Sequence, residues 1–420
     1  MGDVDVVVIG AGAAGLAAAS TLNRAGRSAI VLEASGRAGG RAWTAHPPEL
    51  GGVWFDMGAV WLHAAERNPL VPIAQALGHR LLRSDELRQE RTFIGSRLAT
   101  DAELADYHAA WPRFERAAAE LLRPGLPDPP LSAVARNLPD DPWEPTIEAW
   151  EGSVICAVDA DQFSLADWRA NVLSGSNLVP EGGIGAFVAG LADGLDVRFN
   201  TLARRVRWGG PVAVETDNGT VHARSCIVTV STGVLAAGGI AFDPALPATV
   251  QDCLHGLPMG LAMKVALRAT GPDRLDLPLH CSVDHRVEHS GEPLMPFQCW
   301  PYRRDYVQGW IGGSTAWELA RAGDGAAVDF ALGELRRIFG GRVDRLFADG
   351  SHLVTHWDAD PFVRGSYAYA LPGYAGARAQ LAEPLADGRL IFAGEACNTP
   401  FGGTVGGAWL SGVAAAERAA

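Results

Sequence analysis

An α/β fold is predicted by two observations and a third that qualifies them. The chain opens with a strand, a glycine-rich turn, a helix and a second strand over residues 4 to 35. It closes with a strand, another glycine-rich loop and a helix over 389 to 419. Between them, α/β texture returns only from about Gly182, after a long stretch of different character. At 420 residues the chain exceeds what a single core usually serves, so two interleaved domains are expected. One comprises 1-70, 178-245 and 386-420; the other, an α+β unit, comprises 71-177 and 246-385.

Taken in order, the apolar run Val4 to Ile9 reads as a buried strand and the alanine-rich stretch to about Arg24 as a helix. Ser28 to Glu33 is the next strand, completing a βαβ unit. Residues 67 to 175 read as mainly helical, with proline-rich breaks near 124 to 130 and 138 to 145. A helix follows through Gly185 to Ala192, then strands near Asp196 to Phe199, Val212 to Thr216 and Cys226 to Val230. Asn218-Gly219 is a hairpin signal between alternating apolar residues. Residues 258 to 320 read as strand-rich and 325 to 340 as helical.

Nearly half the residues are apolar and a fifth are charged, which excludes a disordered chain. The net charge of -13 is dispersed and opposes contact with nucleic acid or anionic membranes, while leaving a cationic small molecule unhindered. Six scattered cysteines form no C-x-x-C pair and no His/Cys cluster, so neither a metal site nor a disulfide framework is expected, and a reducing cytoplasm is. No signal peptide or membrane span is expected either. Of 35 basic residues, Lys264 is the only lysine. A position where arginine's permanent charge would not serve is a reason for that exception.

Gly10, Gly12 and Gly15 form G-x-G-x-x-G between strand and helix, and Glu33 closes the next strand. Glycines there let a pyrophosphate approach the positive helix end, and the acid accepts hydrogen bonds from a ribose diol. That pattern alone leaves NAD and FAD open. Arg37, Gly39, Gly40 and Arg41 follow, and the far end carries Gly394-Glu395 and the loop Gly402 to Ala408.

These two segments resemble the amino- and carboxy-terminal signatures of the flavin-containing amine oxidase family. Three internal stretches are similar to its polyamine oxidase and histone demethylase branch: Asp56 to His63, Met259 to Val265, and Trp357 to Phe362 with Gly365 to Tyr367. The resemblance implies a Rossmann-like FAD-binding domain interleaved with a substrate domain, and noncovalent FAD, since Ser366 stands where some relatives carry a flavin-linking cysteine. It implies cofactor contacts at Gly10, Gly12, Ala14, Gly15, Glu33, Ala34, Gly40, Arg41, Gly58, Ala59, Val60, Trp61, Val206, Trp357, Gly394, Glu395, Gly403, Thr404 and Val405. Lys264 would hold a water near the flavin, Tyr367 would form one wall of an aromatic slot, and His63 and Trp357 would complete the site. Thr404 departs from the tyrosine of monoamine oxidases and implies a wider slot.

The expected reaction removes hydride from the α-carbon of a small amine, gives an imine that hydrolyses, and reduces O2 to hydrogen peroxide. The expected assembly is a monomer or homodimer. Desaturases and protoporphyrinogen-type oxidases share the fold, and Lys264 with Tyr367 argues against them. A tailoring oxidase acting on a C-N bond, and a flavin-binding protein without turnover, stay open as alternatives.

Overall fold

A computed structural model describes residues 4–123, 125–171 and 173–419; residues 1–3 and 420 of the first expected domain lie outside it. The opening strand Val4–Ile9 pairs in parallel with Ala29–Leu32 on one side and Gly219–Val228 on the other. Leu390–Phe392, from the far end of the chain, adds in parallel to the same long strand, Gly219–Val228. Ala203–Arg207 and Val212–Thr216 continue this sheet as an antiparallel extension, with Ala241–Asp243 at one edge and Val197–Arg198 at the other. Parallel strands buried on both faces explain why Val6, Val7 and Val8 are all fully buried rather than alternating.

The helices Ala13–Arg24 and Val405–Arg418 pack side by side on one face of this sheet. Their seam requires glycine. A Cβ on Gly15 would lie 1.8 Å from the Gly10 carbonyl oxygen, and one on Gly412 would lie 2.0 Å from that of Ala14. The two ends of the chain are thus locked together where backbone meets backbone.

A second sheet runs in the order His352–Val354, Ala262–Arg268, Tyr306–Gly312, Phe297–Cys299, Cys281–His285, Gln89–Ile94 and Arg97–Leu98. Helices Gly313–Ala322 and Asp324–Phe339 cover its apolar face. Two expectations are corrected here. The stretch 67 to 175 is not simply helical, because Gln89–Ile94 is a strand held by Cys281–His285, far downstream. Its polar Gln-Glu-Arg start hides it, since only its end, Phe93 and Ile94, is covered by the short edge strand Arg97–Leu98. The strand-rich stretch to 320 likewise ends in the helix that starts at Gly313. The first sheet draws on segments before Asp56, from 197 to 243 and after 389; the second draws on segments from 89 to 98 and 262 to 354.

Candidate active site

A cavity of about 600 Å³ runs from the glycine-rich turns of the first sheet to the polar face of the second. At the first end, Gly12 caps the helix Ala13–Arg24 without any side-chain bond, and no acid occupies the first turn. A Cβ on Gly12 would meet nothing within 4 Å, so this helix end opens into the cavity with its N–H groups available to an anion. Gly39 forms a parallel bridge to Gly12, and its N–H donates to the Ala11 carbonyl at 2.8 Å, laying the second glycine pair against the first turn. Glu33 is held by the Ala11 N–H at 2.7 Å and by the Ser35 N–H and hydroxyl at 2.8 and 2.7 Å. These residues fit a dinucleotide: an open helix end for phosphate and a fixed carboxylate for ribose.

Gly10, Gly12, Ala14, Glu33, Ala34, Gly40, Arg41, Gly58, Ala59, Val60, Trp61, Trp357, Gly394, Glu395, Gly403, Thr404 and Val405 all line the cavity. Two expected contacts do not. Val206 is fully buried in the core of the first sheet, and its neighbours Leu202, Ala203 and Arg204 reach the wall instead. Gly15 lets the helix start pack against the Gly10 turn and Thr229 rather than forming part of the wall. Arg41 donates 2.7 Å bonds to Glu395 and to the Ser366 carbonyl, while Glu395 also accepts from Ala368 N–H at 3.1 Å and Gly403 N–H at 3.2 Å. This arginine and acid join the two distant motifs.

Lys264 is buried, and its Nζ donates to the carbonyls of Asp56 at 2.6 Å and Gly58 at 2.5 Å. Burial pulls its pKa down to about 8, with the Asp56 carboxylate opposing. An ammonium has three N–H groups, so one remains beyond those two bonds. Trp357 donates to the Met57 carbonyl at 3.1 Å, fixing the same loop from behind. The Tyr367 hydroxyl donates to the Ile155 carbonyl at 2.7 Å, and burial holds its proton well above the usual phenol range. Opposite, Thr404 donates to the Phe401 carbonyl and accepts from Gly407 N–H, capping the last helix. Ser366 exchanges hydrogen bonds with the backbone of Ala262.

His63 lies 2.8 Å through Nδ1 from the Asn177 side-chain oxygen. Asn177 turns its amide nitrogen to Asp85, so the oxygen faces His63 and Nδ1 is the donor. Burial lowers the His63 pKa, keeping the ring neutral with its lone pair on Nε2. Sequence reasoning missed Arg88, Ser282, Gln298 and Trp310, which line the far end. Trp310 is paired with Lys264 across two strands, and only the strand register reveals that.

An open helix end, a fixed ribose acid and a buried lysine in one cavity fit a dinucleotide-dependent oxidoreductase. Comparison with known proteins sharpens this. The family model described as flavin containing amine oxidoreductase matches residues 13–420. The chain is 30% identical to Polyamine oxidase 4 of Oryza sativa subsp. japonica, over 98% of this chain and 88% of that protein. It is 26% identical to Lysine-specific histone demethylase 2 of Homo sapiens, over 99% of this chain and 53% of that one. In fold it matches a structure of wild-type Putrescine Oxidase bound to Putrescine with a TM-score of 0.82, at 21% identity, covering 99% and 98% of the two chains. The chain belongs to the flavin containing amine oxidoreductase family, and its activity is FAD-dependent amine oxidation. Among the described residues, no helix is long and apolar enough to cross a membrane, and no group of three or more His, Cys, Asp or Glu could hold a metal ion.

Proposed function

We propose that the chain oxidises a small aliphatic amine, using noncovalent FAD and releasing hydrogen peroxide. The observation that carries this reading is the buried Lys264 on the same cavity as both glycine motifs. When bound, the flavin supplies a two-electron acceptor that takes hydride from the amine's α-carbon and passes the electrons to O2. The rest falls to the protein. The segments 1-70, 178-245 and 386-420 form the FAD-binding domain, and 71-177 with 246-385 form the substrate domain.

Lys264, neutral or charged near its lowered pKa, orients a water with its remaining N–H and moves a proton during reoxidation. His63 offers Nε2 as a hydrogen-bond or proton acceptor to the amine, which must be neutral for its lone pair to assist hydride loss. Tyr367 and Trp357 restrict the amine's approach, and Thr404 leaves the slot wider than a second aromatic ring would. Ser366, spent on Ala262, supports noncovalent binding. We place the protein in the cytoplasm as a monomer or homodimer, with reduced thiols.

Anaerobic mixing with a panel of mono-, di- and polyamines, read by flavin absorbance and followed by peroxide release in air, tests this reading. Bleaching by at least one amine is expected. An unchanged spectrum across the panel would make the chain a flavin-binding protein without turnover.

A further inference from the structure

At the end of the cavity remote from the glycine motifs, the wall is the polar face of the second sheet. Strand register sets its order. Lys264 pairs with Trp310, Gln308 pairs with Gln298, Gln298 pairs with Ser282, and Arg88 precedes the edge strand that pairs with Ser282's. Three strand steps of about 4.8 Å and a two-residue offset along the strand separate Lys264 from Ser282, roughly 16 Å in all.

Arg88, Ser282 and Gln298 line the cavity there, and all three bring donors. Among the described residues, the Gln298 amide nitrogen has no hydrogen-bond partner. Arg88 is loosely ion-paired to Asp85 at 3.9 Å and Glu90 at 3.8 Å, without a hydrogen bond to either. Asp85 already accepts from the Asn177 N–H at 2.7 Å and from its side-chain amide, and Glu90 is solvent-exposed and shared with His108. Neither acid lines the cavity.

The carboxylates that do line it, among the described residues, are Glu33, Asp360 and Glu395. Glu33 serves Ala11 and Ser35, Asp360 holds the Phe362 N–H near Arg37, and Glu395 holds Arg41. A second ammonium at the sheet end would meet a guanidinium, with Asp85 and Glu90 behind it and, among the described residues, no acid on the wall itself. An acceptor group there would meet three donors, one of them charged.

Resting on the amine-oxidation reading above, we infer that Arg88, Ser282 and Gln298 form a subsite for a carboxylate carried at the far end of the amine substrate. The preferred substrate class is therefore an amino acid whose amine and carboxylate are separated by a chain, rather than a diamine or polyamine.

The test is an anaerobic titration of the FAD-loaded enzyme, and of its Arg88→Gln and Arg88→Glu variants, with matched linear amines. Six- and eight-carbon chains ending in a carboxylate, a methyl or a second ammonium are compared by flavin spectral perturbation and bleaching. Wild type is expected to respond to the carboxylate-ended amine at about tenfold lower concentration than to the methyl-ended one, as one charge-assisted hydrogen bond warrants, with the diamine weakest. Arg88→Gln is expected to erase that gap and Arg88→Glu to turn the preference toward the diamine, with flavin content unchanged. Tightest response to the diamine in wild type, or the same ranking in all three proteins, overturns the subsite while leaving amine oxidation in place. No response to any of the ligands overturns amine oxidation and the subsite together.

Discussion

The two ends of the cavity are built from different materials. At the nucleotide end the walls are backbone: glycines at 10, 12, 39 and 40, an uncapped helix start, and a carboxylate tied to main-chain N–H groups. At the sheet end the walls are side chains: Trp310 and Gln298 from neighbouring strands, Arg88 from just before the strand Gln89–Ile94, and Trp61 and His63 from a loop, all distant in sequence. Trp61 and Trp310 approach with ring centroids 5.9 Å apart although nearly 250 positions separate them. A backbone cradle tolerates few substitutions because it is shaped by the absence of Cβ atoms. A side-chain wall can be rewritten residue by residue, which is how one cofactor site comes to serve many amines.

The largest expected effect falls where the two ends meet. Lys264→Met should lower amine oxidation or flavin reoxidation by ~10²–10⁴-fold while FAD stays bound, the range expected when a proton-handling group is lost. Stopped-flow bleaching and reoxidation traces separate the two half-reactions, and wild-type rates in both would remove Lys264 from the chemistry.

Next comes the cradle itself. Gly15→Val should cost about 3 kcal/mol or more and yield protein that does not retain FAD, because even a Cβ would press on the Gly10 carbonyl. A yellow, fully loaded variant with wild-type melting behaviour would show that the helix seam yields without penalty.

Away from both ends, Glu144 and Glu148 sit one helical turn apart, each with an unpartnered, buried carboxylate oxygen. Burial pushes both up to about 7. A carboxyl whose folded pKa lies above its unfolded value near 4.5 makes the fold bind the extra proton between those values. Stability therefore falls as pH rises from about 4.5 to 7 and the penalty is complete above that. Glu148→Gln should accordingly raise stability at pH 8 by on the order of 1–3 kcal/mol and by little at pH 4.5. Denaturant melts at both values check the sign, and an equal gain at both would show that the effect is packing rather than ionisation.

The smallest effect concerns the slot. Thr404→Ala removes the cap of the last helix and should cost ~1 kcal/mol, read as a lower melting temperature with FAD still bound. A larger loss confined to FAD retention would mean that Thr404 serves the cofactor more than the helix.

Much of the nucleotide end was legible beforehand because its signals are local. Gly10, Gly12 and Gly15 with Glu33 lie within one βαβ unit, so their spacing alone carries the geometry. The sheet end was not, for three distinct reasons. Gln89–Ile94 is a strand with a polar start whose main partner lies far along the chain. Arg88 looks like any surface arginine until that pairing turns it toward the cavity. His63 is an isolated histidine until Asn177 and Asp85 fix its tautomer.

Val206 shows the same limit: its side chain packs into the core of the first sheet, while Leu202, Ala203 and Arg204, around a register shift in that strand, reach the cavity.

The amino-acid sequence by itself determined the α/β class, the glycine-rich turn between strand and helix, and the singling out of Lys264 as the one lysine in the chain. Each follows from local backbone preference, short-range spacing or composition. Only the tertiary structure decided which end-to-end pairs meet, Arg41 with Glu395 and Gly412 with Ala14, and which side chains line the cavity. Such contacts depend on sheet register and helix seams, where a shift of one residue exchanges the buried face for the exposed one.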